Sequence, residues 1–199
     1  DASALLNATL AYFVSAIGDY FHRELRYNVY MPLLHFHGLK EPRGMEGVEL
    51  EEWENNVGFA VDCAAENADI VSIGGLSTGG VLGFSMINTL PQIINGEVYL
   101  FSAALYLAGG PLGMIGEIKE RVLDSFLADL FDKNKPLIGD NPYRYSHVDL
   151  DGAAELARLI KRTDSITRRY EKSSRSFPFG IFAAHSEADT TADIEGIER

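Results

Sequence analysis

The segment IVSIGGLSTGGVLGF, residues 70–84, restricts the fold of this chain more than any other. Ile70, Val71 and Ile73 are β-branched and run into glycine, the mark of a short buried strand. Val81, Leu82 and Phe84 open an apolar helical pattern that halts before Pro91, whose ring removes a donor and blocks further helix. A strand must therefore turn into a helix within a few residues, with Ser77 at the apex. Gly75 and Gly79 stand two positions to either side, where a side chain is expected to collide as strand and helix approach, and Gly80 is expected to ease the packing further. Glycines before a helix also suit phosphate, but neither G-x-x-x-x-G-K-[ST] nor G-x-G-x-x-G is met here.

The flanking segments say what surrounds this turn. Leu6, Leu10, Phe13, Ile17, Phe21 and Leu25 recur at three and four positions and predict an amphipathic helix over 4–25. NVYMPLLHF predicts a short buried strand ending in a turn at Gly38, followed by loop to Gly47. Helical spacing returns through Leu50, Trp53, Val57 and Val61, and GEVYLFSA reads as a further strand. Alternating helices and strands predict an α/β protein with a predominantly parallel sheet covered by helices on both faces. After Ala104 the rhythm changes: two helical patterns, IGEIKERVLDSFLADLFDK and DGAAELARLIKRTDSITRRYEK, precede the next strand in FPFGIFAAHSEAD. Residues 105–170 are thus expected to form a helical cap inserted into a core made of 1–104 and 171–199.

Charge narrows the partners. Against 17 Lys and Arg stand 29 Asp and Glu, and a net charge of -12 repels phosphate backbones and anionic membranes, so nucleic acid is not an expected partner. The acidic stretches EGVELEEWE and SEADTTADIEGIE are expected to be solvated faces. The one cysteine, Cys63, permits no intrachain disulfide and is expected to be a buried structural thiol. Ser102, Gly109, Gly110 and Pro111 interrupt the longest apolar run, so no membrane insertion is expected. DASALLNATLAYF lacks the basic start of a secretory signal, and the expected location is cytoplasmic. Nothing in the sequence sets an oligomeric state.

A serine at the apex of a strand–turn–helix suits nucleophilic catalysis. The helix start aims its dipole at the serine, and the backbone N–H of Thr78 is placed to stabilise a tetrahedral oxyanion. With these residues the chain resembles the α/β-hydrolases, and among them bacterial carboxylesterases and monoacylglycerol-lipase-like serine hydrolases. NVYMPLLHFHGL is similar to the family's strand ending in histidine and glycine, ADIVSIGGLSTGG to its nucleophile strand and elbow, and FGIFAAHSEADTT to the strand whose end supplies the acid. The resemblance implies an incomplete α/β-hydrolase fold, Ser77 as nucleophile, Asp189 as triad acid, a small-molecule carboxylic ester as substrate, and no metal or organic cofactor.

The pattern departs from the family at both ends: the family's strands before the first helix, with the loop that supplies the second oxyanion donor, are expected to be missing here, and so is its histidine. The family order is Ser, then Asp or Glu, then His, yet no histidine follows Asp189. The expected reading is that these residues are an internal portion of a longer hydrolase whose histidine lies outside the chain. A second arrangement makes His185 the base, with Asp124, Asp129 or Asp140 as acid. His37 and His147 suit a turn and a cap loop better. His35 and His37 alternate along a supposed strand and make a poor metal pair. The contrasting class is a hydrolase-fold protein that binds a ligand or partner without turnover.

Overall fold

The computed structural model describes residues 8–37, 44–106, 150–173, 176–189 and 192–198. In chain order these hold α1 (Ala8–Arg23), α2 (Leu50–Ala65), β1 (Val71–Leu76), α3 (Thr78–Thr89), β2 (Ile94–Phe101), α4 (Leu150–Ser173), β3 (Ile181–Ala184) and α5 (Glu195–Glu198). The strands form one parallel sheet in the order β1-β2-β3. Ile73 pairs with Val98 and Leu76 with Phe101, while across the next ladder Val98 pairs with Ile181 and Phe101 with Ala184. The strand ends are therefore level at their carboxyl edge.

The core lies behind this sheet. Every residue of α3 from Gly80 to Ile87 is buried, as expected of a helix apolar on all sides that is wedged between the sheet, α2 and α4. Val71, Ile73, Phe84, Met86, Val98 and Leu100 form one buried cluster. A second joins Leu50 and Trp53 of α2, Val81 and Leu82 of α3, and Leu159 and Ile160 of α4. Trp53 is buried because its indole N–H finds an acceptor, the carbonyl of His35, at 3.1 Å. On α4, Leu159, Thr163 and Ile166 lie on one stripe, and the buried Thr163 hydroxyl donates to the Leu159 carbonyl at 2.7 Å. The C-terminal part of the 105–170 segment thus shares the core with α2 and α3; residues 107–149 lie outside the described residues.

Four expectations change. NVYMPLLHF is not a strand: residues 26–34 pair with no described ladder, and Val29, Tyr30, Met31 and Leu33 are exposed. The segment is held instead by Tyr27, whose hydroxyl meets that of Tyr99 on β2 at 3.2 Å. This bond, with some desolvation, pushes the Tyr99 phenol up to about 12. Cys63 is half-buried, not enclosed, while Val61 and Ala64 of the same turn of α2 face the core. The acidic face of α2 is not merely solvated: Glu51 pairs with Arg158, and Glu54 with Arg162, on α4. Arg158 holds the Glu51 carboxyl below the usual carboxylate range. Finally, all four residues of β3 are exposed, so that end of the sheet is uncovered by any described element. Among the described residues no helix is long and apolar enough to cross a membrane.

Candidate active site

Because the strand ends are level, the residues just beyond them form a row. Ser77 follows β1, Ser102 follows β2 and His185 follows β3. The ladder continues one step into that row: Ser77 N–H donates to the Phe101 carbonyl at 3.0 Å and Ser102 N–H to the Ala184 carbonyl at 2.8 Å. With strands about 4.8 Å apart, the backbones at the two ends of the row are about 10 Å apart. The carboxyl edge of a parallel sheet is where open α/β folds bind ligands, since helix N-termini and short loops converge there.

Ser77 has the backbone of a strained turn, with φ 52° and ψ -119°. It is the N-cap of α3, a place where serine ordinarily turns its hydroxyl onto the helix, yet here the side chain makes no capping bond. Its carbonyl is tied down instead, accepting from Gly80 at 3.0 Å and from Ala104 at 3.2 Å. The Thr78 N–H, first in the helix, has no partner among the described residues. The turn is tight because of Gly75, where an added Cβ would lie 2.3 Å from the Gly79 carbonyl group, and Gly80, where it would lie 2.6 Å from the Ala103 Cβ. Gly79 differs from the expectation: a Cβ there would meet nothing within 4 Å, because what crowds the turn at this position is its backbone, not the space for its side chain.

At the far end of the row Asp189 sits in the turn after β3. Its Oδ1 accepts from Ala192 N–H at 3.0 Å, and its side chain is 22% exposed. His185 is more enclosed, at 3%, and its Nε2 donates to the Ala192 carbonyl at 2.9 Å. Asp189 Oδ2 lies 3.9 Å from that nitrogen, beyond hydrogen-bond reach. His185 Nδ1 is buried without a hydrogen-bond partner among the described residues. No described histidine is hydrogen-bonded to the Ser77 hydroxyl.

The remaining histidines are engaged elsewhere. His35 Nε2 is 3.1 Å from Glu52, and His37 Nδ1 donates to the His35 carbonyl at 3.1 Å with its ring against Trp53. Residues 35–37 form a turn, with Phe36 at φ 60°, so the reason these two do not make a ligand pair is their separate bonds and not strand alternation. Asp124, Asp129, Asp140 and His147 lie outside the described residues. Ser102 enters the sequence reading only as a break in the longest apolar run, with no catalytic role expected of it. It shares with Ser77 a left-handed φ, 40°, and its only sequence signal is a small polar residue directly after an apolar strand.

No protein-family model matches the sequence, and no curated protein matches it. Among solved structures, a chain described as one of two metagenome-derived lipolytic enzymes, LipS and LipT, matches with a TM-score of 0.59 and 18% identity. The match covers 85% of this chain and 65% of that one, so the chain spans less than two thirds of the enzyme's length. At this identity the likeness is one of fold. The parallel three-stranded sheet and its helices therefore have an α/β architecture similar to that of a lipolytic enzyme.

Proposed function

We propose that this chain is the core of a serine hydrolase that cleaves carboxylic esters through an acyl-enzyme on Ser77. The observation that carries the reading is the state of Ser77: an N-cap serine at positive φ, at the carboxyl edge of a parallel sheet, whose hydroxyl is not spent on the helix it caps. Backbone strain of this kind costs about 1–3 kcal/mol and persists where the surroundings impose it, often at functional sites. Ser77 attacks the ester carbonyl, Thr78 N–H receives the developing oxyanion, and the alcohol leaves; water then hydrolyses the acyl-enzyme. Asp189 orients the imidazole that takes the Ser77 proton and stabilises its cationic form. That imidazole belongs to none of the described histidines in their present contacts, and the reading places it outside them. The fold likeness to a lipolytic enzyme supports ester hydrolysis in general, and a small-molecule ester in the cytoplasm is the proposed setting.

The test is reaction of the full-length natural polypeptide with a fluorophosphonate probe, alongside Ser77→Ala and p-nitrophenyl esters of short and medium acyl chains. Labelling and ester turnover that both vanish in Ser77→Ala are expected. A folded wild type that neither labels nor turns over any ester sinks the enzyme reading in favour of a non-catalytic, ligand-binding hydrolase fold.

A further inference from the structure

We propose that His185 is a positioning residue that sets the Asp189 carboxylate, and not the base that deprotonates Ser77; this rests on the role given to Asp189 above. The two side chains hold opposite sides of one buried residue. His185 Nε2–H donates to the Ala192 carbonyl at 2.9 Å, and Asp189 Oδ1 accepts the Ala192 N–H at 3.0 Å. Ala192 is 3% exposed and packs in the same cluster as Leu159 and Ile160, so the point on which both side chains close is anchored in the core. Around this point the turn from Ser186 to Asp189 is closed by its own bond, Asp189 N–H to the Ser186 carbonyl at 3.0 Å.

The chemistry of the imidazole excludes the other role in this arrangement. A carbonyl oxygen can only accept, so the bond to Ala192 requires the proton on Nε2. In the neutral ring that leaves the lone pair on Nδ1, which is buried and meets no donor among the described residues. A general base must present a lone pair to the hydroxyl it deprotonates. Nε2 has none to give and Nδ1 is sealed, whereas a group that only has to hold a backbone carbonyl needs neither exposure nor a second partner. Removing it frees the Ala192 carbonyl and loosens the turn that aims Asp189, and misplacement by about 1 Å can cost a factor of about 100 in rate.

The variants His185→Gln and His185→Ala separate the roles, because a glutamine amide can still donate to the Ala192 carbonyl while an alanine cannot. Fluorophosphonate labelling rates and the pH dependence of labelling are measured on the full-length polypeptide, with folding checked by circular dichroism. His185→Gln is expected to stay within about 5-fold of wild type. His185→Ala is expected to fall about 10- to 100-fold, with the acid limb of its pH profile moved to lower pH, because an imidazole less well held by Asp189 is less basic. A mere loss of folded protein would lower the labelled amount without moving that limb. A folded His185→Gln as inert as Ser77→Ala identifies His185 as the base and overturns the inference. So does a His185→Ala that matches wild type in both rate and pH limb. If His185→Ala does not fold, the glutamine variant alone decides. A wild type that does not label overturns the hydrolase reading itself and this inference with it, an outcome distinct from both.

Discussion

A Cβ on Gly75 would lie 2.3 Å from the carbonyl carbon and oxygen of Gly79, closer than any real methyl group sits to backbone. The end of β1 and the first turn of α3 thus touch through backbone alone. Neither side can retreat, since β1 is laddered to β2 and α3 is buried from Gly80 to Ile87. Gly75→Ala is expected to destabilise the protein by about 3 kcal/mol or more, at or beyond the upper end of ordinary overpacking. Gly79→Ala points into open space in a helix and is expected to be neutral or to stabilise by up to about 1 kcal/mol. Urea unfolding of the two variants checks the contrast; equal effects would mean that the turn is looser than this contact requires.

Strain and activity should separate at Ser77. Its φ of 52° is imposed by the sheet and helix on either side and is one that glycine accepts without cost. Ser77→Gly is expected to raise unfolding free energy by about 1 kcal/mol, the relief of strain outweighing the added freedom of the unfolded chain. Ser77→Ala keeps a Cβ in the same backbone and is expected to leave stability within about 0.5 kcal/mol of wild type. Both should abolish probe labelling. Thermal melts that rank alanine above glycine would contradict a strained apex.

The ion pairs between α2 and α4 differ in what they secure. Arg162 meets Glu54, whose side chain is 18% exposed, and also donates to the hydroxyl of Ser85 at 2.9 Å, a residue buried in α3. Arg162→Met removes the partner of two enclosed polar groups and is expected to cost about 1–2 kcal/mol, read as a lower urea midpoint. Glu51 and Arg158 are solvated, and Glu51→Gln should leave the midpoint where it is. Equal losses in the two variants would show that the pairs act through charge and not through burial.

What could be read from the sequence follows from how local each feature is. The strand–turn–helix around Ser77 is encoded within residues 70–89, by β-branched residues, glycines and an apolar run in immediate succession, and it folds as read. The helical stripe of α2 and the inward face of Trp53 were legible for the same reason. NVYMPLLHF has the composition of a strand and is none, because an apolar run is a strand only when a ladder partner exists, and that depends on the rest of the sheet. The α2 acids looked solvated because their arginines lie 107 and 108 residues further along the chain. The shared hold of His185 and Asp189 on Ala192 was equally hidden: the sequence places the three close together, but which nitrogen and which oxygen close on Ala192 is decided by the turn.

His37 should make the fold sensitive to mild acid. Its ring packs against Trp53 with centroids 6.0 Å apart, and burial pushes its imidazole below the ordinary 6.5, with the Nδ1 bond to the His35 carbonyl pulling back the other way. A depressed imidazole binds its proton at lower pH in the folded state than in the unfolded one. Between those two values the unfolded chain holds more protons, so stability rises with pH there. The contribution is complete above about 6.5 and is lost as pH falls from that value toward the folded-state one. Urea midpoints taken from pH 7.5 down to 5 should therefore drop in wild type more steeply than in His37→Asn, whose amide can still donate to the His35 carbonyl but does not titrate. Parallel curves for the two proteins would place the acid sensitivity on groups other than His37.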